Sequence, residues 1–164
     1  MVASAAEWSA AFSDPFDTPR PARKVAVVSC MDARLDLFGI FGLAPGDAHL
    51  IRNAGGVATD DVIRSLAISQ RKLGTREVLL VHHTGCGMLT FTEDAFRREL
   101  LEETGIKPAW VAEAFTDLDD DVRSSMARIR QSPFIPHRDA VRGFVYEVET
   151  GRLREVLALE PSGS

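Results

Sequence analysis

Three side chains in this sequence have the types and spacing to share one metal ion. Cys30 and Cys86 are the two cysteines of the chain, and His83 lies three residues before the second. The H-x-x-C spacing of His83-Thr84-Gly85-Cys86 lets two side chains of one turn face the same point, and Gly85 and Gly87 permit a tight backbone. Two thiolates plus one imidazole match a catalytic zinc set, with three protein ligands and an open fourth position. Sulfur donors disfavour magnesium and calcium. Taken singly, each residue reads as a buried free cysteine or a core histidine. The zinc expectation rests on all three falling together at strand ends.

The segment Cys30-Met31-Asp32-Ala33-Arg34 adds a carboxylate and a guanidinium. If it is extended, alternate side chains point the same way, so Cys30, Asp32 and Arg34 share one face. Asp32 then has two options: accept a hydrogen bond from a metal-bound water, or bind the metal as a fourth ligand. Arg34 can hold Asp32 through a bidentate pair and keep it ionised. The run Arg52-Asn53-Ala54-Gly55-Gly56 precedes a helix and offers backbone N–H groups to a small anion. It lacks the G-x-G-x-x-G and P-loop spacings, so it reads as a wall of the metal site rather than a nucleotide cradle. His82 precedes the candidate ligand and should point away from it. His49 and His137 read as solitary structural histidines, and Trp8, Trp110 and the phenylalanines as core residues.

These residues need elements to bring them together, and the hydropathy pattern supplies them. Lys24 to Cys30 is a short β-branched run, a buried strand. Leu35 to Leu43 is apolar and helical, stopping near Pro45-Gly46. Ala48 to Arg52 is a second strand. Thr59 to Leu73 is a helix with Thr59 as cap, Asp60 and Asp61 at its positive end, Arg71 and Lys72 at its negative end, and Gly74 as its stop. Glu77 to His82 is a third strand. Helical stretches follow near 92–103 and 117–131, the latter with a Val122, Met126, Ile129 stripe and the acidic run Asp119 to Asp121 at its start. That run reads as helix-terminus charge and solvation rather than a cation site. Gly143 to Val148 and Leu153 to Leu159 form two strands joined near Thr150-Gly151. Strands alternating with helices predict an α/β fold, a single domain with a central, mainly parallel sheet flanked by helices. In such a sheet ligands bind beyond the carboxyl ends of the strands, where both cysteines fall.

At 164 residues, with 45% hydrophobic side chains, the chain suits one domain with a core that needs no disulfide. The net charge of -5 and the lack of a basic stripe argue against nucleic acid and against anionic membranes. Residues 1–20 show no basic segment followed by an apolar run, so no secretory signal is read there and the expected location is the cytoplasm. Residues 4–13 predict a short amphipathic helix with Trp8 and Phe12 on one side. Three prolines between Asp14 and Ala22 predict an extended arm that lies across a partner subunit.

C-x-D-x-R at Cys30, Asp32 and Arg34, R-N-A-G-G at 52–56 and H-x-x-C-G at His83 to Gly87 together resemble the β-class carbonic anhydrases, most of all their short bacterial members. Each motif alone is modest, but three in this order and spacing are specific. The resemblance covers residues 24–90 strongly. It implies zinc on Cys30, His83 and Cys86, and an aspartate–arginine dyad of Asp32 and Arg34, with Asp32 either beside the ion or on it. It implies an α/β catalytic domain over 23–164 and a helix and arm over 1–22 that pack on a neighbouring subunit, in a homodimer or homotetramer. The implied reaction is reversible hydration of carbon dioxide to bicarbonate and a proton. Zinc lowers the pKa of bound water to about 7 in the best-known carbonic anhydrases, whose ligands are three histidines. Two other readings stay open: a hydrolase of carbonyl sulfide or carbon disulfide on the same zinc, and a non-enzymatic protein with a structural zinc or a redox-responsive thiol pair.

Overall fold

The computed structural model describes residues 1–13 and 18–158. Pro15 of the expected arm and Leu159 of the expected last strand lie outside them. Four strands run parallel: β1 (Val25–Cys30), β2 (Ala48–Asn53), β3 (Glu77–His83) and β4 (Val141–Glu147). The fifth, β5 (Arg152–Val156), is the antiparallel edge, so the order across the sheet is β2-β1-β3-β4-β5. The helices are α1 (Val2–Ala11), α2 (Leu37–Phe41), α3 (Asp60–Leu73), α4 (Glu93–Thr104) and α5 (Leu118–Gln131).

The run VAVVSC takes an interior position because both of its faces are apolar, and it is buried from Ala26 to Cys30. On one face, Val62 and Leu66 of α3 and Val122, Met126 and Ile129 of α5 pack against Ala26, Val28, Val78, Leu80 and Val145. Each large side chain there contributes roughly 1.5–3 kcal/mol by burial. The approach of α5 to the sheet is close at Gly143, where a Cβ would lie 2.4 Å from Val122 and 2.8 Å from the Met126 sulfur.

The other face is thinly covered. Val27, Val81 and Leu37 are buried there, while Val25, Ile40, Phe41, Leu50, Leu79 and Leu153 remain partly exposed around them. The cause lies in α2, which is shorter than the expected 35–43. It holds five residues between Asp36 and a left-handed Gly42. Leu35 does not join it because Asp36, with φ of -90° and ψ of 87°, breaks the helical backbone between them.

The caps of α3 are as the sequence indicates: Thr59 accepts the Val62 N–H, and the helix stops at Gly74. Asp117 caps α5 by accepting the Asp120 N–H at 2.8 Å. The acidic run behind it is spent on neighbours, Asp119 on Arg154, Asp120 on Arg123 and Asp121 on His82. The two tryptophans are not core residues: Trp8 is 69% and Trp110 56% exposed, and Phe12, Phe38 and Phe134 are exposed too. Neither α1 nor α4 buries a residue within the chain. Among the described residues, no helix is long and apolar enough to cross a membrane.

Candidate metal centre

β1 and β3 are parallel neighbours in which Ser29 pairs with Val81, so Cys30 and His83 emerge at the same edge of the sheet. β2 leaves β1 on the opposite side, which makes the crevice between β1 and β3 the point where strand order reverses. The turn after β3 brings Cys86 back to this crevice. The donor atoms of Cys30, His83 and Cys86 all lie within 4.8 Å of one another, and all three residues are buried.

Their geometry fits zinc. A tetrahedral ion with zinc–sulfur bonds of about 2.3 Å sets its sulfurs about 3.8 Å apart. The two Sγ atoms here are 3.9 Å apart. The His83 Nδ1–H donates to the Thr84 carbonyl at 2.9 Å, since a carbonyl can only accept. Nε2 therefore carries the free lone pair, and it is a buried nitrogen with no hydrogen-bond partner. A buried polar atom left unpaired is costly unless something binds it. The thiols point the same way. The Cys30 thiol is held well below its ordinary range, first by the hydrogen bond from the Cys86 thiol, against the effect of burial. Cys86 is pushed up by its bond to Cys30 and by burial. The pair takes one negative charge readily and resists a second, a resistance that a dication between the sulfurs offsets.

Asp32 and Arg34 reach this centre by a different route from the extended segment expected. The strand ends at Cys30, and residues 32–35 form a turn in which Asp32 Oδ1 accepts the Arg34 N–H at 2.9 Å. The pair is bidentate: Arg34 Nε donates to Oδ1 at 2.9 Å and Nη2 to Oδ2 at 2.8 Å. Arg34 Nη2 also donates to the Gly85 carbonyl at 3.0 Å, which ties the pair to the turn bearing Cys86. Asp32 Oδ2 sits 3.7 Å from His83 Nε2, beside the three donors. The Arg34 guanidinium holds its carboxyl well below the usual carboxylate range.

The glycine-rich run is a wall of the site, and its residues act on the backbone of β1. Arg52 Nε donates to the Cys30 carbonyl at 2.9 Å and Nη2 to the Asp32 carbonyl at 2.6 Å, clamping the turn between ligand and dyad. Gly56 has φ of +76°, and a Cβ on it would lie 2.7 Å from the Cys30 nitrogen and 2.9 Å from the Ser29 carbonyl carbon. Gly56→Ala should therefore destabilise the fold by about 2 kcal/mol or more, since strain and clash add. Thermal unfolding should show a midpoint lowered by roughly 5 °C. An unchanged midpoint would mean that the strand and loop separate without penalty.

Beyond the donors, Leu35, Val57, Met88 and Phe115 form a buried apolar shell around the two cysteines. His82 points away, as expected. It is buried, with Nε2 2.6 Å from Asp121 Oδ2 and its ring against Phe115. His49 bonds Ser69 at 2.7 Å, and the His137 backbone bonds Gln70, so neither joins the centre. Sequence reasoning passed over the clamp made by Arg52, which follows from the register that sets it beside Ser29. It also passed over Phe115, which carries no local signal.

Comparison with known proteins agrees with this geometry. A family model described as carbonic anhydrase matches residues 25–120. Beta-carbonic anhydrase 1 of Mycobacterium tuberculosis is 53% identical over 155 residues, covering 94% of either chain. The crystal structure of carbonic anhydrase from Streptococcus mutans superposes with a TM-score of 0.87 at 42% identity, over 95% of this chain and 94% of that one. A carbon disulfide hydrolase of an Acidianus strain is 35% identical, covering 81% of this chain and 77% of its own.

Proposed function

Since the chain belongs to the β-carbonic anhydrase family, we propose that it hydrates carbon dioxide reversibly on a zinc ion held by Cys30, His83 and Cys86. The observation that carries this reading is the convergence of three buried donors beside an ionised Asp32 held by Arg34. Zinc supplies Lewis acidity there, making water acidic enough to serve as a nucleophile near neutral pH.

The chain's own residues do the rest. Asp32 accepts a hydrogen bond from the attacking water and aims its lone pair. Arg34 keeps that carboxylate ionised and in place from both oxygens. Leu35, Val57, Met88 and Phe115 give the centre an apolar side suited to a small linear molecule without charge. The bidentate hold of Arg34 on both Asp32 oxygens supports a carboxylate that would stand beside the ion rather than on it, leaving a fourth position for water.

Stopped-flow hydration of carbon dioxide, on protein whose zinc content is measured in the same preparation, tests the reading. Turnover should be fast and stronger at high pH than at low, because the nucleophile must lose a proton. Asp32 stays ionised throughout, so the rise reports the water and not the dyad. Full zinc with no turnover would sink the proposal. The 35% identical hydrolase makes carbon disulfide the next substrate to assay in that event.

The assembly we infer is a homodimer or homotetramer, with residues 1–22 packing on a partner subunit and 23–164 forming the catalytic domain. Support comes from the thinly covered sheet face and from α1, where Trp8 and Phe12 stand exposed with ring centroids 6.1 Å apart. Deletion of residues 1–22 should shift the protein to a smaller species in sedimentation; an unchanged mass would remove the arm from the interface. The cytoplasm suits a centre that needs two reduced thiols 3.9 Å apart.

A further inference from the structure

The turn bearing His83 is held from an unexpected direction, the hairpin between β4 and β5. Every polar atom of Thr84 is engaged. Its N–H donates to the Tyr146 carbonyl at 2.9 Å. Its hydroxyl donates to Glu149 Oε2 at 2.8 Å and accepts the Val148 N–H at 3.0 Å. Its carbonyl accepts the His83 Nδ1–H at 2.9 Å. Three of these four bonds come from residues 146–149, and the fourth orients the imidazole.

We propose that Thr84 and Glu149 are positioning residues of the metal centre: the hairpin locks Thr84, and the locked carbonyl sets the His83 ring with Nε2 toward the two sulfurs. The inference rests on the zinc reading above and adds to it two residues outside the ligand set. A histidine ligand's second nitrogen normally has a fixed acceptor, which selects the tautomer and the ring orientation. Here that acceptor is a backbone carbonyl in a short glycine-flanked turn, and such a turn keeps its direction only if something braces it. The Thr84 hydroxyl on a carboxylate is a charge-assisted bond, stronger than a neutral one. That hydroxyl also draws the Glu149 carboxyl below its ordinary range, so the brace is charged near neutral pH.

The hairpin does not need Glu149 for its own closure. Its turn is closed by the Gly151 N–H on the Glu147 carbonyl at 2.8 Å, the Thr150 hydroxyl on Glu147 Oε2 at 2.7 Å and the Arg152 N–H on Thr150 Oγ1 at 3.3 Å. Glu149 stands outside these bonds, exposed, with its carboxylate turned to Thr84 across 65 residues of sequence. Thr150→Ala therefore loosens the same hairpin without touching Thr84, which separates hairpin stability from ligand positioning.

The test uses the full-length zinc-loaded protein and five variants: Thr84→Val, Thr84→Ser, Glu149→Ala, Glu149→Gln and Thr150→Ala. Two quantities are read: the rate at which zinc passes to a chromogenic chelator, and the visible spectrum of the cobalt(II)-substituted protein. Thr84→Val and Glu149→Ala should release the metal about 10-fold faster or more and shift the cobalt bands. Thr84→Ser keeps the hydroxyl and should stay close to wild type, whereas Glu149→Gln keeps an acceptor oxygen but loses the charge and should fall between wild type and Glu149→Ala. Thr150→Ala should unfold at lower temperature yet release zinc at the wild-type rate. Wild-type release and spectra in both Thr84→Val and Glu149→Ala would overturn the proposal, as would a Thr150→Ala variant that releases zinc as fast as Glu149→Ala. Should Thr84→Val fail to fold, Glu149→Ala carries the test from an exposed position. A wild-type protein that takes up no zinc would instead overturn the metal reading itself.

Discussion

Serine at position 30 or 86 should leave the protein with far less than one zinc per chain and without hydration activity. Structural zinc sites bind with apparent energies of about 10–16 kcal/mol over four ligands, so one donor carries about 3 kcal/mol. That is a loss of more than about 100-fold in affinity. The hydroxyl of serine does not ionise near neutral pH and cannot replace the thiolate. Cys30 and Cys86 are 4% and 2% exposed, so water cannot easily substitute either. Zinc content by elemental analysis after dialysis against a weak chelator reads the effect directly. Full retention in both Cys30→Ser and Cys86→Ser would place the metal elsewhere. The metal-bearing wild type should also unfold at a higher temperature than its stripped form, since a ligand that binds only the folded state adds stability.

Asp32→Asn should keep its zinc and lose about 100-fold or more in kcat/KM, the scale on which positioned acid–base groups act. The change is nearly isosteric but removes the charge that pairs with both nitrogens of Arg34. An amide offers one acceptor oxygen instead of two, and its NH2 group faces either the guanidinium or the water as a second donor. The alignment of the nucleophile is then lost while the three donors remain. Retained zinc with low turnover in stopped flow is the expected pair of results. Full activity would remove Asp32 from the reaction. Loss of zinc would show that Asp32 is a ligand rather than a neighbour of the ion.

The parts of this molecule that could be read from the sequence are those whose information is local. β1 and β3 announce themselves as unbroken apolar runs, and α3 carries its own cap, charges and stop. The convergence of the three candidate donors was legible because strand ends are where a parallel sheet gathers chemistry. The path from Cys30 to Arg34 was misjudged because an aspartate can bend the chain onto its own backbone N–H groups, and the Arg34 N–H on Asp32 turns an apparent strand extension into a turn. Just after it, the non-helical backbone of Asp36 keeps Leu35 out of α2. Trp8 and Trp110 look like core by composition alone, yet large apolar residues also stand on protein surfaces, and both are exposed here. The contacts by which Arg52, Phe115, Thr84 and Glu149 surround and brace the centre depend on register and on packing between distant segments, which no short window contains.

The centre draws Cys30 and Cys86 from 56 residues apart, across two parallel strands that pair only after a crossover has formed. In the unfolded chain an ion would meet only fragments of the set, the local His82-His83-Cys86 segment or Cys30 and Asp32, each a weak site. Zinc therefore does not nucleate this protein as it does a zinc finger, whose ligands lie within one small motif. The non-local pairing of β1 with β3 must come first, and that is the slow kind of step in folding. Metal loading is then a late event on a finished scaffold, and zinc supply during synthesis should govern how much of the protein is active without changing how fast it folds.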